Sequence, residues 1–255
     1  MDKARFLAFS CVHAPYTSEA GKSWLLNQIE DWKPTHVVCL GDLFDAEAAS
    51  VHPGEAEHDL ADEYAYAATL LHDIRAIVPK AEHVWMHGNH DDNIIKSDPR
   101  RVPKALRSVV HWNENRIWGD EFRAWKQYPY IKAAKGIYTL GQVIFCHGFD
   151  AAGNSDELEG LQLNYLTGGH PWRLSVRGHT HRPVGVTQAK RSQRVLLPHY
   201  YANAGTIGFG DQQPEYMTRK DVSTWGTGVV VGEAKLGRVA RMTAPEWEAE
   251  LVRMI

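Results

Sequence analysis

Five short apolar runs in this sequence each stop at a motif built from residues that bind metal ions. Residues 5–10 lead into Cys11-Val12-His13, and 36–40 lead into Gly41-Asp42-Leu43-Phe44-Asp45. Residues 82–86 precede Gly88-Asn89-His90-Asp91, and a run from 138 to 146 ends in Cys146-His147-Gly148. Residues 174–177 precede Gly178-His179-Thr180-His181. Short apolar runs bounded by glycine and polar residues read as buried strands. In α/β sheets, ligands collect beyond the carboxyl ends of strands. A fold that satisfies this sequence must bring strand ends from position 11 to position 181 to one spot. The glycines beside the polar residues suit sharp turns and close backbone approach.

Helical patterns separate several of the runs. Residues 18–32 place Leu25, Ile29 and Trp32 on one face, with Thr17 or Ser18 as cap, Glu19 in the first turn and Pro34 as the stop. Leu60, Tyr64, Ala67, Leu71, Ile74 and Val78 recur at spacings of four, three, four, three and four, which predicts an amphipathic helix. Pro103 is placed to start a short helix carrying Leu106 and Val110. Residues 111–130 show no firm period. Beyond Gly178 short β-like runs predominate, ending in 227–231 and 238–242. The chain has no internal repeat or linker composition, so residues 1–255 are expected to form a single domain of mixed α/β class.

Composition excludes several other classes. Hydrophobic residues at 44% and charged residues at 23% rule out a disordered, collagen-like or coiled-coil chain. A net charge of −3 argues against a dedicated non-specific nucleic-acid binder. Three cysteines among 255 residues exclude a disulfide framework and point to a reducing compartment. No apolar run approaches the roughly 18 residues of a membrane span, and the first residues show no signal-peptide pattern. The expectation is a cytoplasmic protein without membrane association.

The donor chemistry is specific as a set. Cys11 and His13 lie two apart, as do His179 and His181, and in an extended chain such pairs point to one side. Imidazole, carboxylate, amide oxygen and thiolate together suit Zn, Fe or Mn. One pair alone is a weak signal; five motifs in order, each after a strand, are a strong one. The competing reading of Cys11 is a small buried hydrophobe, and core packing is the expectation for Cys39 and Cys146. His36, His72, His83 and His111 read as surface or strand-end residues. His87, His170 and His199 sit near the motifs, with packing favoured over substrate contact. Basic residues Lys96, Arg100, Arg101, Lys104 and Arg107, and Arg182, Lys190, Arg191 and Arg194, read as a solvated face or as phosphate contacts. Trp112, Trp118, Trp125, Tyr128 and Tyr130 read as core packing, with base stacking as the alternative.

In this order the motifs resemble the calcineurin-like metallophosphoesterase family, whose pattern runs D-x-H, G-D-x-x-D, G-N-H-[D/E], a histidine usually followed by glycine, then G-H-x-H. The last four stand intact here, and Asn203-Ala204-Gly205-Thr206 is similar to the N-x-G-[S/T] that often follows them. The resemblance spans residues 5 to 242 and implies two packed mixed β-sheets flanked by helices. It also implies two divalent metal ions. One would take Cys11, His13, Asp42 and His181; the other would take Asp42, Asn89, His147 and His179. Asp42 and a hydroxide would bridge them, Asp42 and Asn89 would join His90 as the catalytic set, and His90 would be the general acid at the leaving group. Asp45 and Asp91 would orient ligands.

Cys11 replaces the aspartate usual in the family, as in intron lariat debranching enzymes. A thiolate is softer than a carboxylate, which implies a first site that is weaker or that prefers Zn or Fe over Mn. The implied activity is a metal-dependent phosphodiesterase acting on a phosphate ester such as a nucleotide, a cyclic nucleotide or a nucleic-acid end. The alternatives are a phosphomonoesterase and a catalytically inactive interaction scaffold. The protein Ser/Thr phosphatases carry G-D-x-V-D-R-G and G-N-H-E; here Ala46 and Glu47 follow Asp45, and Asp91 stands in place of the Glu. Oligomeric state stays open.

Overall fold

Strict alternation of side chains along the first strands sets the layering. In β1 (Lys3–Phe9), Phe6 and Ala8 face one way and Leu7 and Phe9 the other. A computed structural model describes residues 3–46, 49, 58–96, 107–149, 156–190, 198–208, 223–237 and 243–254, with 95, 96, 107 and 108 described by backbone alone. After β1 come α1 (Glu19–Trp32), β2 (His36–Cys39), α2 (Leu60–Ile77), β3 (Glu82–Met86) and α3 (Asn89–Lys96). Two short helices, α4 (Arg107–Val110) and α5 (Gly119–Arg123), precede β4 (Lys126–Tyr128), β5 (Tyr138–Leu140) and β6 (Val143–Phe145). The chain continues through α6 (Asp156–Leu166), β7 (Arg173–Arg177), β8 (Val184–Gln188), β9 (His199–Asn203), β10 (Gly228–Lys235) and β11 (Trp247–Arg253).

The strands form two mixed sheets, ordered β11-β10-β1-β2-β3-β4 and β5-β6-β7-β9-β8. Phe6, Ala8, Val38, Leu40, Val84 and Met86 of the first sheet pack on Tyr138, Phe145, Leu174, Val176 and Ala202 of the second. Phe6 meets Phe145 edge-on at 5.3 Å between ring centroids, the geometry that aromatic quadrupoles favour. The opposite parity of the same strands, Leu7, Phe9, Val37, Cys39 and Trp85, packs on Leu25 and Ile29 of α1 and on Tyr64, Leu71 and Ile74 of α2. Each such fully buried side chain contributes about 1.5–3 kcal/mol. The fold is therefore the two-sheet sandwich with flanking helices. Among the described residues, no helix is long and apolar enough to cross a membrane.

Local chemistry explains the helix ends. The Ser18 hydroxyl accepts from Gly21 N at 3.0 Å and caps α1. Asp59 caps α2 by accepting from Ala61 N and Asp62 N at 2.8 and 2.9 Å. Lys33, with φ of 50°, stops α1 one residue before Pro34.

Two expectations change, and two elements, α6 and β11, were not expected. Residues 138–146 are not one strand but the hairpin β5–β6, turned at Gly141, whose φ of 58° needs no Cβ. α6 carries weak amphipathicity and lacked a readable period. The strand β11 lies beyond the runs expected from the sequence, and its Trp247, Ala249 and Leu251 alternate with charged residues as in a half-buried edge strand. His83 is buried against Trp125 rather than lying at the surface. The expected helix start at Pro103 and Leu106 and the run 238–242 lie outside the described residues.

His83 and His199 are 8% and 1% exposed, and burial, aided by Arg75 and Arg173 respectively, lowers each pKa to about 4. Between pH 6.5 and 4 the unfolded chain binds protons at these positions and the folded chain does not. Stability is therefore lost as pH falls through that window, by at most about 1.4 kcal/mol per pH unit per histidine. Urea unfolding of chelator-treated protein at pH 7, 6 and 5 should show falling midpoints. His83→Gln and His199→Gln variants should show a flatter dependence.

Candidate metal centre

The first three parallel strands of one sheet and the parallel pair β6 and β7 of the other end at the same place. The loop after β1 zips onto the loop after β2: Cys11 N, His13 N and Ala14 N donate to the carbonyls of Gly41, Asp42 and Leu43 at 2.9, 3.0 and 3.0 Å. Gly41 and Gly88 make the approach possible. Gly41 has φ of 105°, and a Cβ on it would lie 2.6 Å from Gly88 N and 2.7 Å from His147 Nδ1. A Cβ on Gly88 would lie 2.1 Å from Asp42 Oδ1 and 2.4 Å from Asp42 N.

Donor atoms of Cys11, His13, Asp42 and His181 all lie within 4.8 Å of one another, and so do those of Asp42, His147 and His179. Asp42 belongs to both groups. His13 Nε2 is 3.1 Å from His181 Nε2 and 3.8 Å from Asp42 Oδ2. His147 Nε2 is 3.1 Å from each of Asp42 Oδ2, Asn89 Oδ1 and His179 Nδ1. The seven residues singled out as metal donors thus meet in one cluster, in which Asn89 and His179 are partly exposed and the other five are buried.

Both i, i+2 pairs reach the cluster, but not through extended backbone. Cys11, His13, Asp42, His179 and His181 have φ of 55°, 47°, 52°, 70° and 59°, so neither pair is extended. A left-handed non-glycine residue costs about 1–3 kcal/mol and persists only where its surroundings hold it. Here the bonds between the loops after β1 and β2 do so for Cys11, His13 and Asp42.

The supporting hydrogen bonds fix which nitrogen carries each proton. His147 Nδ1 donates to Leu40 O at 2.8 Å, and His13 Nδ1 donates to Asp45 Oδ1 at 2.8 Å. Each Nε2 is thereby turned into the cluster, that of His13 toward His181 Nε2 and Asp42, that of His147 toward Asn89 Oδ1, His179 Nδ1 and Asp42. Despite its burial, Asp42 is held well below the usual carboxylate range by His147, His90 and His13. His179 is lowered to about 3 by burial and then by His147, and His181 is lowered by burial and then by His13. Burial, then the Asp42 charge, pushes the Cys11 thiol up, while Ser10 Oγ at 3.1 Å and His179 N at 3.3 Å favour its thiolate. Imidazole nitrogens, a carboxylate, an amide oxygen and a thiol that converge at these distances are the donor types that hold a divalent cation. The donor set therefore fits divalent metal ions.

His90 lies beside the cluster with a side chain 21% exposed; its N–H donates to Asp42 Oδ1 at 3.0 Å and its Nδ1 to Asp45 O at 2.5 Å. Burial lowers its pKa, but Asp42 and Asp45 outweigh that and hold it above the usual histidine value. Asp45 touches His13 directly, as expected of an orienting residue. Asp91 touches no donor side chain. Its carboxylate accepts from Leu43 N, Phe44 N and Gly88 N at 3.0, 3.1 and 2.7 Å, so it clamps the loop after β2 to the start of α3.

Among the aromatic set, Trp112, Trp118 and Trp125 pack in the helix-side core and Tyr128 against the sandwich core. Tyr130 comes to the centre, 5.9 Å from the His147 ring and stacked on Phe149 at 5.0 Å. His87 is buried between Trp85 and Trp112, and His199 lies at the far end of β9. Cys39 and Cys146 are buried in apolar clusters. Arg182 and Lys190 are exposed. The side chains of Lys96 and Arg107, and all of Arg100, Arg101, Lys104, Arg191 and Arg194, lie outside the described residues. Trp225, which belongs to none of the motifs, stands edge-on to His181 with ring centroids 4.2 Å apart. Thr206, whose hydroxyl donates to Cys11 O at 2.8 Å, belongs to the Asn203–Thr206 motif.

The family model for calcineurin-like phosphoesterases matches residues 4–183. No curated protein matches the chain. Similar solved structures include a metallophosphoesterase from Sphaerobacter thermophilus, at 14% identity over 100% of this chain and 89% of that chain, with a TM-score of 0.46. YfcE, a phosphoesterase from E. coli, is 13% identical over 89% of this chain and 91% of that chain, with a TM-score of 0.39. The nuclease MPE from Pseudomonas putida is 15% identical over 89% and 82%, also with a TM-score of 0.39.

The Gly88 approach is open to a direct test. Gly88→Ala forces a methyl into the Asp42 carboxylate and backbone, and overpacking of this kind costs about 1–3 kcal/mol. Thermal unfolding of the metal-free variant should show a lower midpoint than the parent, and Gly185→Ala, where a Cβ meets nothing within 4 Å, should not.

Proposed function

This chain belongs to the calcineurin-like phosphoesterase family, and from that premise we propose that it is a metal-dependent hydrolase of phosphodiesters. The observation that carries the reading is Asp42, shared between two facing donor groups with His90 at its side. Cys11, His13, Asp42 and His181 would hold one cation, and Asp42, Asn89, His147 and His179 the other. A bound cation pair supplies activation of water and neutralises charge on the phosphoryl oxygens.

The chain's own residues do the rest. Leu40 O and Asp45 fix the imidazoles of His147 and His13 so that their Nε2 atoms point inward. The Asp45 carbonyl holds His90 Nδ1, so the proton for the leaving oxygen would come from Nε2. Asp42 and Asp45 beside the ring favour its protonated form over the opposing effect of burial. Diesters are favoured over phosphoproteins because Ala46 and Asp91 stand where the Ser/Thr phosphatases carry arginine and glutamate.

Three measurements test this reading. With Mn²⁺ or Zn²⁺ added, bis(p-nitrophenyl) phosphate should be hydrolysed faster than p-nitrophenyl phosphate; the reverse order would make the protein a monoesterase. His90→Ala should keep its metal content and lose about 10²–10⁴-fold in turnover on a poor leaving group, with a smaller loss on p-nitrophenolate. An unchanged rate on the poor leaving group would remove His90 from the acid role. Cys11→Asp should shift the first site from Zn²⁺ toward Mn²⁺ in elemental analysis, because oxygen donors favour the harder ion. A parent protein that takes up no transition metal would point to a binding scaffold.

A further inference from the structure

None of the five motifs contributes a residue to α6, yet its first turns hold the two loops that present His147 and His179. Glu159 is 2% exposed, and its Oε1 accepts from Phe149 N at 2.5 Å, two residues past His147. Its other oxygen pairs with Arg177 Nη1. Arg177, the last residue of β7 and 3% exposed at its side chain, also donates from Nε to Asp156 Oδ1 at 2.6 Å. Asn203, paired in register with Arg177 at the end of β9, lies with Nδ2 2.8 Å from Asp156 Oδ1 and 3.0 Å from both Gly178 O and Thr180 Oγ1. Two acids, one guanidinium and one amide thus tie the turn after His147 to the turn that carries His179.

Among the described residues, the backbones of those turns are otherwise joined by Gly178 N, which donates to His147 O at 3.0 Å. Charge-assisted bonds are about twice as strong as neutral ones, and a buried pair is costly to break because it strands a charge. The other half of the centre has separate supports. The loop of Cys11 and His13 is bonded to Gly41, Asp42 and Leu43, and His181 O accepts from Gly226 N at 3.0 Å.

We propose that Glu159, Asp156 and Arg177 are positioning residues for one half of the centre: their buried ion pairs set the spacing of His147 and His179 and hence the affinity for the second cation, separately from the first. The proposal rests on the two-cation reading above. None of these three residues touches a reacting atom, so the effect must pass through the two histidines.

Calorimetric titration of chelator-treated protein with Mn²⁺ tests it, with metal-to-protein ratios after dialysis as a second readout. Glu159→Gln keeps an acceptor for Phe149 N but removes the charge facing Arg177. Asp156→Ala removes a side chain that is 15% exposed, so it decides the matter if the first variant does not fold. In either variant one equivalent of Mn²⁺ should weaken by about 10–100-fold, the size usual for partners behind metal ligands, while the other equivalent stays unchanged. Two equivalents bound as in the parent would overturn the proposal alone. Both equivalents weakening together with the thermal midpoint would also overturn it, since that marks a general loss of stability. A parent that binds no Mn²⁺ would overturn the two-cation reading and this proposal with it.

Discussion

The contact between Asp42 and Gly88 governs the geometry of the whole centre. Two parallel strands end side by side, and the backbone of one must pass within van der Waals distance of a carboxylate on the other. Glycine at 41 and 88 permits that approach. Once there, the Asp42 carboxylate accepts from His90 N at the start of α3 with one oxygen and faces His147 with the other. The same carboxylate stands within reach of donors from both sheets. A side chain larger than hydrogen at Gly88 would push the ends of the neighbouring strands β2 and β3 apart.

Burial and charge then act in opposite directions on neighbouring groups. Burial keeps His179 and His181 neutral, which leaves their lone pairs available. His147, His90 and His13, when protonated, hold Asp42 ionised in spite of its burial. The outcome is a buried cluster rich in acceptors, assembled at the cost of several left-handed backbone positions. Such strain is tolerated here because Asp91, Asp45 and the backbone bonds between loops each fix one part of the turn geometry. Cys11 fits the same logic: burial favours its thiol form, and a cation would favour the thiolate.

Several structural details were not legible in sequence, for identifiable reasons. The hairpin at Gly141 was hidden because both its strands are apolar and its two-residue turn is short. Asp91 stands beside His90 in sequence, whereas its carboxylate turns to Gly88 N three residues back and to Leu43 N and Phe44 N in the distant loop after β2. α6 carries Asp156 and Glu159 toward Arg177 across a loop, a pairing that no local spacing reveals.

What the residues alone determined was the type of chemistry and its location at strand ends. A glycine beside a histidine, asparagine or aspartate after an apolar run says that a turn follows a strand and that its side chain is a donor. That information is local, because strand propensity, turn chemistry and ligand type are properties of a few adjacent residues. Tertiary structure decided which donors face one another, which nitrogen of each imidazole points inward, and which polar groups hold the loops from behind. Those depend on distances between segments as far apart as Cys11 and His181, and on burial, which shifts protonation only once the sheets have packed.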